Sequence, residues 1–332
     1  MESFRHKTWR IALLAVLFMS IVCVSWSTYC LFHSSINPNT TSPIIISVDK
    51  STSATQLMRQ LKEKKLIQST QWYLSLIRFE GLSQQLKAGV YEVRPGESAL
   101  QLIHRIVAGD VLTLNFTIIA GTTQSKIAQD LMHASYLEYH PEDWALVQDN
   151  HLNAEGLLLA DTYQYRGGSS SKTLLEQAHQ YLMDYVKTSW ASRTPDLPYK
   201  TPYELVIAAS IIEKESARPE ERKLISGVMV NRLKKGMPLQ MDPTVIYGLG
   251  SDYKGKLTHN DLLIDSPYNS YRYRGLPPTP ITTVGKESID AAAHPQASNY
   301  LYFVAKGDGT HQFSETYLQQ RQAIEQYQRK DT

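Results

Sequence analysis

The apolar positions of this chain change their period along its length, and each change predicts a different element. Residues 11–32 (IALLAVLFMSIVCVSWSTYCLF) form a 22-residue run without a charge, its polar interruptions mainly serine and threonine. About 20 such residues cross a hydrocarbon core, so the run predicts a transmembrane helix. A cleaved signal peptide has a shorter apolar stretch and a small-residue cleavage site. Here Trp26, Tyr29, Cys30 and Phe32 prolong the run, and no A-x-A pattern follows. Arg5, Lys7 and Arg10 precede it, which keeps the N-terminus cytoplasmic and exports the body. A polar stretch, SSINPNTTS, then reads as a linker. Farther on, residues 135–200 read as helices and polar connections, with an amphipathic helix over 174–187. Residues 203–217 (YELVIAASIIEKESA) are apolar almost all round before their charged end, the mark of a buried helix. Residues 300–305 and 311–314 flank a KGDGT turn and predict a β-hairpin, and 315–329 predicts a polar helix.

Sliding the sequence on itself reveals an internal repeat. Residues 51–61 (STSATQLMRQL) align without gaps on 96–106 (GESALQLIHRI), and a weaker third copy spans 121–131 (GTTQSKIAQDL). Each copy follows a short β-type run, at 44–48, 90–93 and 114–119. Ser53, Ser98 and Thr123 fall where a helix N-cap belongs. The pairs Leu57/Leu61, Leu102/Ile106 and Ile127/Leu131, four residues apart, give each helix a buried stripe. Each unit is therefore predicted as strand, turn and capped helix. The units resemble LysM modules, which implies binding of glycans containing N-acetylglucosamine. The plainer reading is a βα packing unit.

Charge narrows the partners. The chain has 34 basic and 32 acidic residues; setting aside Arg5, Lys7, Arg10 and Glu2 leaves 31 of each downstream. A neutral body carries no electrostatic footprint for nucleic acid, while a neutral polymer such as a glycan fits it. Both cysteines, Cys23 and Cys30, lie in the apolar run, leaving the rest without a disulfide or a thiolate metal site. The ten histidines show no H-E-x-x-H or other close ligand spacing.

The candidate chemistry sits at the end of the buried helix, in Glu213-Lys214-Glu215-Ser216. A carboxylate with restricted water has its pKa raised towards a value useful to a general acid. Two positions on a helix are about 200° apart, so Glu213 and Glu215 cannot form a paired-carboxylate site, and periodicity alone does not choose between them. Downstream, Gln240, Asp242, Tyr268, Asn269, Tyr271 and Tyr273 supply the amide, carboxylate and phenol groups that sugar hydroxyls and N-acetyl groups pair with.

Read in order, Asn231-Arg232-Leu233, GMPLQMDPTVIYGLG, PYNSYRYRGLPPTPI, AAAHP and YLYFVAKGDGTHQFS resemble the endolytic murein transglycosylase family (MltG/YceG-like). The likeness runs from about residue 45 to the C-terminus and is densest over 206–313. It implies that Glu215, second in the Glu-Lys-Glu-Ser run, is the catalytic acid, with Gln240, Asp242, Tyr268, Asn269 and Tyr271 on the substrate. Ser270, Thr279 and Val284 depart from the family's usual Thr, Gly and Pro. The implied reaction cuts the MurNAc–GlcNAc bond within nascent strands and leaves 1,6-anhydro-MurNAc ends, with no metal or cofactor. The implied fold is α+β: a cytoplasmic tail over 1–10, a transmembrane helix over 11–32, a linker over 33–44, a LysM-like module over 45–112 and a mixed α/β catalytic domain over 113–332. The implied partners are peptidoglycan strands, the plasma membrane through a single-pass anchor, and peptidoglycan synthases. Two alternatives remain: a hydrolytic muramidase using Asp242, and a glycan-binding scaffold without catalysis.

Overall fold

The structure, a computed structural model, describes residues 2–36, 43–215 and 218–327. Part of the linker (37–42) and Ser216 lie outside the described residues. The fold is mixed α+β, about 49% helix and 12% strand. Its described sheets have two strands each, so helix packing builds the core.

Helix α1 (Glu2–His33) carries the N-terminal apolar run, and its described side chains from Leu13 to Trp26 are exposed. Among the described residues no helix is long and apolar enough to cross a membrane. The side chains at 11–12 and 30–32, the two ends of the predicted span, lie outside the description.

The chain divides into two compact units, residues 1–114 with 166–169, and residues 115–165 with 170–332. Beyond α1, the first unit holds β1 (Ile44–Val48), α2 (Ala54–Glu63), α3 (Thr70–Phe79), β2 (Gly89–Val93) and α4 (Ala99–Ala108). Strands β1 and β2 pair antiparallel, from Ile44 opposite Val93 to Val48 opposite Gly89. The first two repeat copies fold as their pattern predicts. Ser53 accepts from the Gln56 N–H while the Gln56 side chain accepts from the Ser53 N–H, and Ser98 and Gln101 do the same at α4. These are capping boxes, in which serine and glutamine three apart satisfy each other's orphan backbone groups. Leu57, Leu61, Leu102 and Ile106 are wholly buried in one core. Helix α3 intervenes between the copies and was not part of the predicted pattern.

The second unit takes up the chain along β3 (Thr113–Thr117), α5 (Gln124–Met132), β4 (Leu137–Glu138), α6 (Ala145–Gln148), β5 (Thr162–Arg166), β6 (Ser169–Ser170) and α7 (Ser171–Ser192). It continues through α8 (Pro202–Glu215), α9 (Pro219–Lys234), α10 (Asp242–Leu249), α11 (Lys286–Ala293), the hairpin β7 (Tyr302–Ala305) and β8 (His311–Ser314), and α12 (Tyr317–Tyr327). The third repeat copy departs from the first two. Thr123 stands at the N-cap of α5 but makes no side-chain cap bond, and Lys126, three residues on, cannot supply the reciprocal acceptor that glutamine gives in the first two copies. The Glu155 carboxylate accepts the Gln124 N–H instead, at 2.9 Å. The region read as helices and connections also contains β5, whose TYQYR alternates buried and exposed and pairs with β3.

Helix α8 is the centre of this unit. Its residues from Leu205 to Ile212 are all buried, and α7, α9, α10 and α11 pack around it. Ser210 accommodates the one hydroxyl there by donating to the Ile207 carbonyl and accepting the Ile281 N–H. Helix α9 lies along residues 296–300: Gln296 N–H donates to the Lys223 carbonyl, and Asn231 Nδ2 donates to the Ser298 and Tyr300 carbonyls. Gly227 permits this approach, since a Cβ there would stand 2.4 Å from the Gln296 oxygen. Gly227→Ala gains about 1 kcal/mol of helix propensity, but the clash with a fixed backbone outweighs it. The variant is expected to lose roughly 1–3 kcal/mol of stability, read as a lower urea midpoint at an unchanged m-value. A higher midpoint would contradict the close-approach account.

Candidate functional site

The buried length of α8 delivers both of its terminal glutamates into protein, and the structure gives them opposite environments. Glu213 is 5% exposed and fully engaged. Arg222 Nη2 donates to its Oε1 at 2.9 Å, and the Gly285 N–H donates to its Oε2 at 3.0 Å. It thus ties the end of α8 to α9 and to the start of α11. Removing one partner of such a buried pair is costly, typically about 3–5 kcal/mol, so Glu213 has a structural task.

Glu215 forms no ion pair among the described residues. It is partly buried and lines a cavity of about 270 Å³ with Arg232, Gln240, Asp242, Tyr271, His311 and the apolar side chains of Leu239 and Phe303. Burial pushes its carboxyl up to about 8, and the Asp242 charge acts in the same direction. A carboxyl in this state is a proton donor at neutral pH, and its conjugate base is a competent acceptor.

The loop that faces Glu215 is held by local chemistry. Asp242 opens α10, and Tyr271 Oη donates to its Oδ1 at 2.5 Å. Burial, then this hydrogen bond, pushes the Tyr271 phenol well above its ordinary value, so it remains a donor. Gln240 adopts a left-handed backbone, φ 52°, unusual for a residue with a side chain. Its N–H donates to the Ser270 carbonyl at 3.0 Å, and its Oε1 accepts from Arg232 Nη1 at 3.1 Å. Ser270 accepts the Met241 N–H at 2.9 Å and lies 2.8 Å from the Thr244 hydroxyl. The departure from threonine at this position therefore keeps the hydroxyl that the turn uses.

Of the residues singled out in sequence, the cavity gathers Glu215, Gln240, Asp242 and Tyr271. Asn269 and Tyr268 stand behind it. Asn269 is wholly buried: its amide donates to the Leu262 and Ile264 carbonyls, and its oxygen accepts the Tyr271 N–H. Tyr268 hydrogen-bonds the Thr279 hydroxyl at 2.9 Å and meets the Tyr247 ring edge-on. Tyr273 is exposed and donates to Asp265.

Sequence reasoning assigned no role to three groups. Arg232 lies in the last turn of α9 and is only 6% exposed. His311 lies in the quoted HQFS run. The Glu221 carboxylate holds its Nδ1 at 2.7 Å and accepts its backbone N–H at 2.9 Å. Glu155, besides capping α5, accepts from Tyr247 Oη at 3.3 Å. Burial raises its carboxyl to about 7, against the pull of its hydrogen bonds. For Arg232 the available signal was its place in the Asn231-Arg232-Leu233 run; the other two depend on partners about 90 residues away.

The YceG-like family model matches residues 46–326. The chain is 27% identical to a Bacillus subtilis endolytic murein transglycosylase over 88% of its length and 87% of that protein's. It is 34% identical to a Streptococcus pneumoniae endolytic murein transglycosylase over 46% of its length, which is 28% of that longer protein. Among solved structures, a YceG-like protein from Listeria monocytogenes superposes with a TM-score of 0.53 at 28% identity, covering 85% of this chain and 99% of that one.

The raised carboxyl of Glu215 fixes the sign of a pH effect. Unfolded, it titrates near 4.5; folded, near about 8. Between those values the native state holds more protons than the unfolded state, so stability falls as pH rises and levels off above about 8. Glu215→Gln does not titrate. Its stability relative to the native protein should therefore climb from about pH 5 to about pH 8, by at most roughly 1.4 kcal/mol per pH unit, and its relative melting temperature should rise with it. Thermal unfolding of both proteins across that range measures it, and a constant difference would refute the buried neutral acid.

Proposed function

The chain belongs to the YceG-like family, and on that premise we propose that it is an endolytic peptidoglycan lytic transglycosylase whose catalytic residue is Glu215. The observation that carries this is a single carboxyl, raised to about 8 by burial and by Asp242, at the wall of a polar cavity. Such a group arrives at the bond protonated. Glu215 gives its proton to the glycosidic oxygen, so the C1–O bond of MurNAc breaks and GlcNAc leaves as an alcohol. The substrate's own N-acetyl oxygen stabilises the oxocarbenium-like C1. Glu215, now a carboxylate in a desolvated place, takes the proton of the C6 hydroxyl, and O6 closes onto C1 as 1,6-anhydro-MurNAc. Proton and bond counts balance without water or cofactor.

The other residues divide the remaining work. Gln240, Asp242 and Tyr271 contact the sugars, while Tyr268 and Asn269 serve substrate binding through the loop that carries Tyr271. Asp242 also keeps Glu215 protonated. Its place in the same cavity favours a second reading, a hydrolytic muramidase with Asp242 as base. Against that reading, Tyr271 already occupies Oδ1. Glu215→Gln retains shape but has no proton to give, and should lower strand cleavage by about 10⁴-fold or more, the upper end for a general acid that also serves as base. Mass spectrometry of sacculus digests should find anhydro ends with the native protein; reducing ends would transfer the assignment to the muramidase, and near-normal turnover by folded Glu215→Gln would sink both.

The 22-residue uncharged run within α1, with basic residues before it, supports a single-pass anchor that leaves the N-terminus cytoplasmic and the body outside the plasma membrane. The capped βα repeats support a LysM-like module over 45–112 that holds the strand near residues 113–332, where cutting takes place. An enzyme so placed works beside peptidoglycan synthases. A reporter fused after Thr332 should be active only in an exported compartment, and cytoplasmic activity would overturn the topology.

A further inference from the structure

The acid mechanism leaves one charged group of the cavity unused. Arg232, in the last turn of α9, lines the same cavity as Glu215 yet is 6% exposed. Its Nε donates to the Leu301 carbonyl at 2.6 Å. Its Nη1 donates to the Pro238 and Leu239 carbonyls and to Gln240 Oε1, at 3.1, 2.8 and 3.1 Å. Those bonds hold the left-handed turn at Gln240 and the approach to β7. All the acceptors are neutral.

No carboxylate among the described residues stands within ion-pair distance of this guanidinium. The Asp242 carboxylate, in the same cavity, is bound by Tyr271 instead. Burial pulls the Arg232 guanidinium below the ordinary arginine value, as expected for a cation enclosed without a counter-charge. The second terminal nitrogen, Nη2, donates to no described residue, and it is not among the fully enclosed orphan atoms. It therefore keeps accessible surface, and the cavity is the space that Arg232 lines. The Tyr302 ring, 5.1 Å from the guanidinium carbon, backs the group. A buried, rigidly held guanidinium with a terminal nitrogen open is built to receive a carboxylate.

We propose that Arg232 is the anion-recognition residue of the cavity, its open Nη2 receiving a carboxylate carried by the substrate strand. The proposal rests on the peptidoglycan reading of the same cavity. A muramyl strand offers this chemistry in two places. One is the lactyl group on C3 of the sugar whose C1 reacts, free only where the stem peptide is absent. The other is the stem peptide itself.

The test reads affinity by calorimetry with the full chain, so that loss of turnover does not obscure it. In one arm the probe is a peptide-free strand with its lactyl carboxylates free or converted to methylamides. In the other it is a stem-bearing strand with its peptide carboxylates free or amidated. One arm should show roughly 10- to 100-fold tighter binding of the charged form, the span of a charge-assisted hydrogen bond, and that arm identifies the source. In Arg232→Gln the ratio should fall to near one; it is taken within one variant, so a general loss of affinity cancels. A native ratio near one in both arms overturns the proposal even if Arg232→Gln does not fold, and so does an undiminished ratio in the folded variant. Anhydro ends formed from the neutralised strands, together with a native ratio near one in both arms, would leave the lytic assignment standing while anion recognition fell.

Discussion

Desolvation at the end of α8 is the constraint from which the site follows. Eight consecutive buried positions, Leu205 to Ile212, drive the helix into the core so far that its last turn emerges inside protein. Two acids are carried there, and an isolated buried carboxylate is too costly to persist. Glu213 meets the cost with Arg222 and the Gly285 N–H; Glu215 meets it by holding its proton. The two differ by two positions in sequence and by a unit of charge in function. A partner, rather than burial as such, decides which acid is reactive.

That distinction marks the limit of what the sequence could tell. Period and composition located the buried helix, the terminal hairpin and both capped helices of the first unit, because each depends on neighbours within a few positions; composition only nominated Gln240, Asp242 and Tyr271, and the family resemblance, not periodicity, chose Glu215 over Glu213. The same reading missed β5, whose five residues carry alternation but little length. It also gave no role to Glu155 or to the Glu221–His311 pair, which join residues 92 and 90 positions apart. Tyr268 and Asn269 show a different limit. Their polar groups suit a sugar, but the fold spends them on Thr279 and on the carbonyls of Leu262 and Ile264. Composition gives the chemistry a side chain is capable of, and only the fold shows where it is used.

Departures from the family pattern follow the same logic. Ser270 differs from the usual threonine by a methyl group, and its hydroxyl is the part engaged by Met241 and Thr244. Thr279, where glycine is common, is wholly buried and adds a hydroxyl that Tyr268 uses. Both changes lie in the scaffold of the loop, and the acid at its centre is untouched.

The capping boxes of the first unit carry a consequence for the time course of folding. Each helix terminus is closed by residues three apart, Ser53 with Gln56 and Ser98 with Gln101, so each lowers its nucleation barrier without help from the rest of the chain. Strands β1 and β2 join residues 41 to 49 apart, a closure whose entropic cost falls before any ladder bond forms. Helix formation takes on the order of a microsecond or less, faster than long-range strand pairing. The repeated serine and glutamine thus shorten the search: two pre-wound segments meet, rather than a coil, when the slow sheet closes.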